Sequence, residues 1–117
     1  MMANDRFVYF SSPPPTREHV QWALEDYVRG IGKVEWNSRF FVTLPGLPSN
    51  PAERLSDVLD ARYEVQSERW FEVCLGNDNL DVITRMQDAV TSAIADGFAS
   101  FAARFWKGRR DHEKGMP

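Results

Sequence analysis

The chain has 117 residues, 43% of them hydrophobic and 26% charged, which suits one globular domain with a single core. No apolar run approaches the roughly 20 residues needed to span a bilayer. The N-terminus, Met1 to Arg6, lacks the basic and apolar segments of a signal peptide, so the expectation is a cytoplasmic protein without membrane contact. Cys74 is the single cysteine, which excludes an intramolecular disulfide and a cysteine zinc centre.

The first element is a strand, Arg6 to Phe10, rich in aromatic and β-branched residues. Ser11-Ser12-Pro13-Pro14-Pro15 ends it. Thr16 caps a helix with Glu18 in its first turn. Val20, Leu24, Tyr27, Val28 and Ile31 then recur at helical spacing and predict one buried stripe. Gly30 and Gly32 supply the stop. Lys33–Trp36 and Arg39–Leu44 read as a hairpin turned by Asn37-Ser38. Asn50-Pro51-Ala52-Glu53 has the features of a helix start, predicting a short helix to about Asp60 with Leu55, Val58 and Leu59 inward. Residues 62–65 are a candidate brief strand. Arg69–Leu75 and Leu80–Thr84 are firmer strands, joined by the turn residues Gly76-Asn77-Asp78-Asn79.

Thr84-Arg85-Met86-Gln87 matches a capping box and predicts a long helix from about Met86 to Lys107. This helix is apolar on two sides. One stripe, Met86, Val90, Ala93, Ile94, Gly97, Phe98, Phe101 and Phe105, has core spacing. A second flank, Ala95, Ala99, Ala102, Ala103 and Trp106, is small and apolar. A helix on one sheet needs one stripe, so the second predicts a further contact, inside the fold or with another chain. Gly97 predicts close approach of the helix to the sheet.

These elements define an α+β fold: a single mostly antiparallel β-sheet of about five or six strands with helices on one face. Their order is β-α-β-β-(short α)-β-β-α. Residues 1–108 form the domain, and 109–117 are expected to be a flexible charged tail. The order resembles the strand–helix–four-strand–helix arrangement of TATA-binding-protein-like domains. It also resembles the helix and sheet alternation of small, acidic, dimeric secretion chaperones. No residue motif accompanies either likeness, so no functional residue carries over.

The net charge of −3 is uneven: residues 1–84 hold 8 Lys/Arg against 13 Asp/Glu, and residues 85–117 hold 6 against 4. Arg104, Lys107, Arg109, Arg110 and Lys114 supply the basic excess, in keeping with the negative end of the long helix. Interrupted by Asp111 and Glu113, they make a poor nucleic-acid footprint.

Catalytic patterns are missing from the sequence. His19 and His112 are the two histidines, and neither has a spaced second ligand. No serine sits in G-x-S-x-G. Gly30-Ile31-Gly32-Lys33 follows a helix and precedes a strand, the reverse of a phosphate loop. Asn77-Asp78-Asn79 reads as a turn, because calcium needs more oxygens than it offers. Glu72 and Asp81 are expected to share a sheet face, neutralised by Arg39 or Arg69. No catalytic residue, cofactor or metal is expected.

The aromatic residues carry the functional expectation. Trp22 lies off its helix's apolar stripe, beside Glu18, Glu25, Asp26 and Arg29, and Trp106 lies off the main stripe of the last helix. Strand alternation sends Phe41, Trp70, Cys74 and Ile83 to the sheet face away from the helices. Glu72 and Asp81 on that face repel phosphates. The expected partner is therefore a protein or a second copy of the chain in a homodimer, met through Trp22, Phe41, Trp70, Ala95, Ala99, Ala102, Ala103 and Trp106. The expected function is a non-enzymatic interaction or accessory module, chaperone-like or inhibitor-like. The alternative is a small apolar-ligand-binding domain, with a pocket between sheet and last helix lined by Phe98, Phe101 and Phe105.

Overall fold

The computed structural model describes residues 3–11, 13–47, 69–85 and 87–111. The expected short helix at 50–60, the candidate strand at 62–65, His112 and residues 112–117 of the expected tail lie outside these. Within them, six strands form one sheet: β1 (Ala3–Tyr9), β2 (Lys33–Trp36), β3 (Phe40–Thr43), β4 (Trp70–Leu75), β5 (Asn79–Arg85) and β6 (Arg109–Asp111). Every neighbouring pair is antiparallel, in the order β2-β3-β4-β5-β1-β6. Helices α1 (Arg17–Tyr27) and α2 (Ala89–Phe105) complete the α+β fold.

Alternation along the strands sends Val8, Phe40, Val42, Phe71, Val73, Leu80 and Val82 to one face, all fully buried. Val20, Ala23, Leu24 and Val28 of α1 and Ala95, Phe98, Ala99 and Ala102 of α2 join the same core. Thr16 caps α1 as expected, accepting the N–H of His19 at 3.2 Å, and Gly30 takes φ +88° just beyond the helix.

The last helix is rotated from its expected setting. Its sheet-facing stripe is Thr91, Ala95, Phe98, Ala99 and Ala102, so of the second apolar flank Ala95, Ala99 and Ala102 make their contact inside the fold, while Ala103 and Trp106 are half-buried. Alanine has nothing beyond Cβ, so a face of alanines brings the helix close to the strands. Val90 and Phe105, expected in the core, are 49% and 51% exposed, and Ala93 is exposed as well. Ile94, Gly97 and Phe101 of the expected core stripe face α1, and Met86 lies outside the described residues. The Tyr27 hydroxyl donates to the Ile94 carbonyl at 2.8 Å, and its ring lies 5.3 Å from Phe98 and 6.2 Å from Phe101. A Cβ on Gly97 would stand 2.5 Å from the Tyr27 hydroxyl oxygen, so this glycine admits α1, not the sheet. The two apolar sides of α2 thus meet two partners inside one chain.

The start of α2 also differs. β5 runs on to Arg85 because β1 pairs along its whole length, Ala3 opposite Arg85. Thr84 is therefore a buried strand residue and caps nothing. Asp88 caps the helix, accepting the N–H of Thr91 at 3.0 Å, and its other oxygen holds Arg69 at 2.8 Å. Gln87 accepts the N–H of Trp70 at 3.3 Å.

Arg109, Arg110 and Asp111, expected in a flexible tail, form β6 and pair with Tyr9, Val8 and Phe7. The reversal after α2 is a Schellman cap: Lys107 takes φ +57°, and Gly108 donates to the Ala103 carbonyl at 2.8 Å. A Cβ on Gly108 would lie 2.8 Å from the Tyr9 carbonyl oxygen. Glycine here permits close approach to β1, while lysine bears the left-handed conformation. Arg110 then anchors the strand, donating to Ser100 and to Asp96, each at 2.9 Å. Its cation is structural, not a loose complement to the helix end. No helix among the described residues is long and apolar enough to cross a membrane.

Candidate interaction surfaces

The outer face of the sheet carries Phe41, Trp70 and Cys74, all half-buried. It is not the exposed apolar platform expected from alternation. Ile83 is buried, and so is Glu72, which stands beside it in register. Glu72 holds Arg39 at 2.8 Å through one oxygen and Arg85 at 2.9 Å through the other. Arg39 was an expected neutraliser; Arg85 does the rest, and Arg69 is engaged with Asp88 instead.

Asp81 shares this face and pairs with Cys74 across the strands. Burial first, then the neighbouring Asp5 carboxylate, pushes its carboxyl from the ordinary 3.8 up to about 7. A backbone hydrogen bond from Arg6 and the charges of Arg85 and Arg6 oppose that rise without cancelling it. Burial likewise raises the Cys74 thiol, against the pull of Arg39, so the thiolate that a nucleophile needs is disfavoured. Glu72 is tied up by two arginines, and Asp81 faces a thiol and another acid.

Two other regions expose aromatic rings. At the α1–β2 corner, Trp22 is 58% exposed and Trp36 is 38% exposed. The Arg17 guanidinium sits 5.0 Å over the Trp36 ring, which meets Phe40 edge-on at 4.8 Å. Trp36 and Arg17 were not anticipated as surface features. A tryptophan ending a short strand beside a turn was the available signal.

At the C-terminal end of α2, Phe101, Phe105 and Trp106 form a ledge. Phe101 stacks on Phe105 at 5.2 Å, and Trp106 meets both edge-on, at 6.2 Å and 5.4 Å. Phe105 is the outermost ring, while Phe101, Ala103 and Trp106 are half-buried. Exposed Arg104, Lys107 and Arg109 surround the ledge in sequence. Of the partner residues expected from sequence, only Ala103 and Trp106 fall here. Trp22 stands apart on α1, and Phe41 and Trp70 lie on the outer sheet face.

A shallow groove of about 410 Å³ opens at the end of the sheet, lined by Tyr9, Phe10, Ser11, Asp78, Lys107, Gly108 and Arg109. It is not the pocket expected between sheet and helix. Phe98, assigned to that pocket, is fully buried in the core. Asn77 and Asp78 lie in the β4–β5 turn, which Gly76 closes by donating to the Asn79 carbonyl at 2.8 Å. His19 is exposed. Comparison with protein-family models, with characterised proteins and with solved structures found nothing that matches this chain.

Proposed function

We propose that this chain is a non-enzymatic protein-interaction module, accessory to another protein in a chaperone-like or inhibitor-like way. The observation that supports it is the aromatic ledge on α2. Three rings in mutual contact end on a phenylalanine that is 51% exposed. Large aromatic side chains next to arginine are the residues that dominate binding energy at protein interfaces. Ring stacking on Phe101 already holds Phe105 in place, so little side-chain freedom is lost on binding. Exposed Arg104 and Lys107, next to the ledge rings in sequence, favour a partner segment that combines apolar with acidic side chains.

Affinity capture from extract of the native host tests this, using wild type and Phe105→Ser side by side. The expected result is a protein retained by wild type and lost by Phe105→Ser at unchanged melting temperature. If both retain the same proteins, the ledge is not the interaction surface.

A further inference from the structure

β2 borders the sheet, and among the described residues no strand flanks it on the outer side. Its backbone polarity follows from the hairpin. The N–H of Asn37 donates to the Arg39 carbonyl at 2.8 Å, and the register then pairs Trp36 with Phe40, Glu35 with Phe41, Val34 with Val42 and Lys33 with Thr43. Antiparallel ladders alternate bonded and non-bonded pairs. Lys33 and Glu35 therefore direct their backbone groups to β3, whereas those of Val34 and Trp36 point to the open border. Such a border is a template for another strand. A lysine there ordinarily keeps copies of a chain apart. Here exposed Lys33 and exposed Glu35 lie two residues apart on the same sheet face, with opposite charges.

We infer that β2 pairs with β2 of a second copy of this chain, antiparallel, about a two-fold axis through Val34. In that register Val34 meets its own copy as a hydrogen-bonded pair. Lys33 of each chain then stands opposite Glu35 of the other, twice by symmetry. These flanking pairs are of the non-bonded kind, in which facing side chains approach most closely. Trp36 comes opposite Gly32, which has no side chain to obstruct the indole; the Gly32 N–H is already donated to the Val28 carbonyl at 2.8 Å, so the shared ladder ends at the charge pairs. Shifting the register by one residue loses both charge pairs and turns every side chain to the wrong face. This surface is separate from the ledge on α2 and does not depend on its role.

Sedimentation velocity on the full chain tests the pairing across micromolar to submillimolar concentration. Lys33→Glu and Glu35→Lys each place like charges across the axis twice. Each is expected to weaken self-association by roughly tenfold or more, with circular dichroism unchanged. An equimolar mixture of the two variants restores complementarity in a mixed dimer, as does the double variant Lys33→Glu/Glu35→Lys in a dimer of its own. Recovery of the dimer in both samples is the expected result. A monomeric wild type over the whole range overturns the inference. Single variants that dimerise like wild type, or a mixture that stays monomeric, overturn it equally.

Discussion

The two faces of this sheet are made by the same strands and obey different physics. On the inner face most of the alternate residues are fully buried aliphatics or phenylalanines, and α2 lays Ala95, Ala99 and Ala102 over them. Its ionised groups, Arg6 and Arg110, sit toward the β1–β6 end, where both pair with Asp96 of α2; elsewhere stability depends on area, volume and fit. On the outer face the alternate residues bury a carboxylate between two arginines and hold Asp81 near neutrality beside Cys74 and Asp5. Stability on that side depends on which protons are bound. Burial alone therefore does not identify a hydrophobic face: Glu72 is as deeply covered as Ile83 beside it.

The sharpest break in the comparison comes from the inner face. Phe98→Ala removes a ring that is fully buried and in contact with Tyr27 and Phe101. It is expected to cost about 3–5 kcal/mol in chemical denaturation. Ala99→Arg would bury an unpaired cation between helix and sheet and is expected to abolish folding. A folded, monomeric Ala99→Arg protein would mean that the alanine flank faces outward and that this core is misassigned.

The outer face should respond to pH instead. Asp81 has a folded-state value of about 7 against an ordinary 3.8, so between those values the folded chain binds more protons than the unfolded chain. Its contribution is complete below the lower value and is lost as pH rises through the upper one. Asp81→Asn removes this dependence. The variant is expected to unfold at the same or lower denaturant than wild type at pH 5, and to gain on wild type as pH rises to 8. Parallel behaviour of the two proteins from pH 5 to 8 would show that the Asp81 carboxyl is not held protonated by the fold.

Much of this architecture was legible because strand alternation and turn chemistry act locally. The cap at Thr16, the stop at Gly30, the Asn37-Ser38 hairpin and the inward set of β3 and β4 each follow from a few neighbouring residues. What failed depended on distance across the fold. Apolar bulk placed Phe105 and Val90 in the core, yet the sheet selected the alanine face because small residues allow closer approach. The Thr84 capping box lost to strand pairing with β1, and Arg110 after Gly108 was bound by Asp96 and Ser100 on the helix before it. The candidate surfaces were half legible for the same reason. Trp22 and Trp106 stood out as off-stripe residues, but the exposure of Phe105 and the place of β2 at the border of the described sheet are set by tertiary neighbours.

The smallest expected effect sharpens the difference between covered and uncovered aromatics. Trp22 is 58% exposed on the outer side of α1, among exposed Glu18, Glu25, Asp26 and Arg29. Among the described residues it has no ring contact of the kind that fixes Trp36 or Trp106. Replacing it by glutamine keeps a good helix former at that position and removes little buried area. Trp22→Gln is therefore expected to change unfolding free energy by no more than about 0.5 kcal/mol, the range of ordinary surface substitutions. Wild-type fluorescence should also include one indole that acrylamide quenches freely, and that component should vanish in Trp22→Gln. A loss of about 2 kcal/mol would place this indole among covered side chains, and the contrast between α1's outer side and the packed faces of the sheet would then not hold.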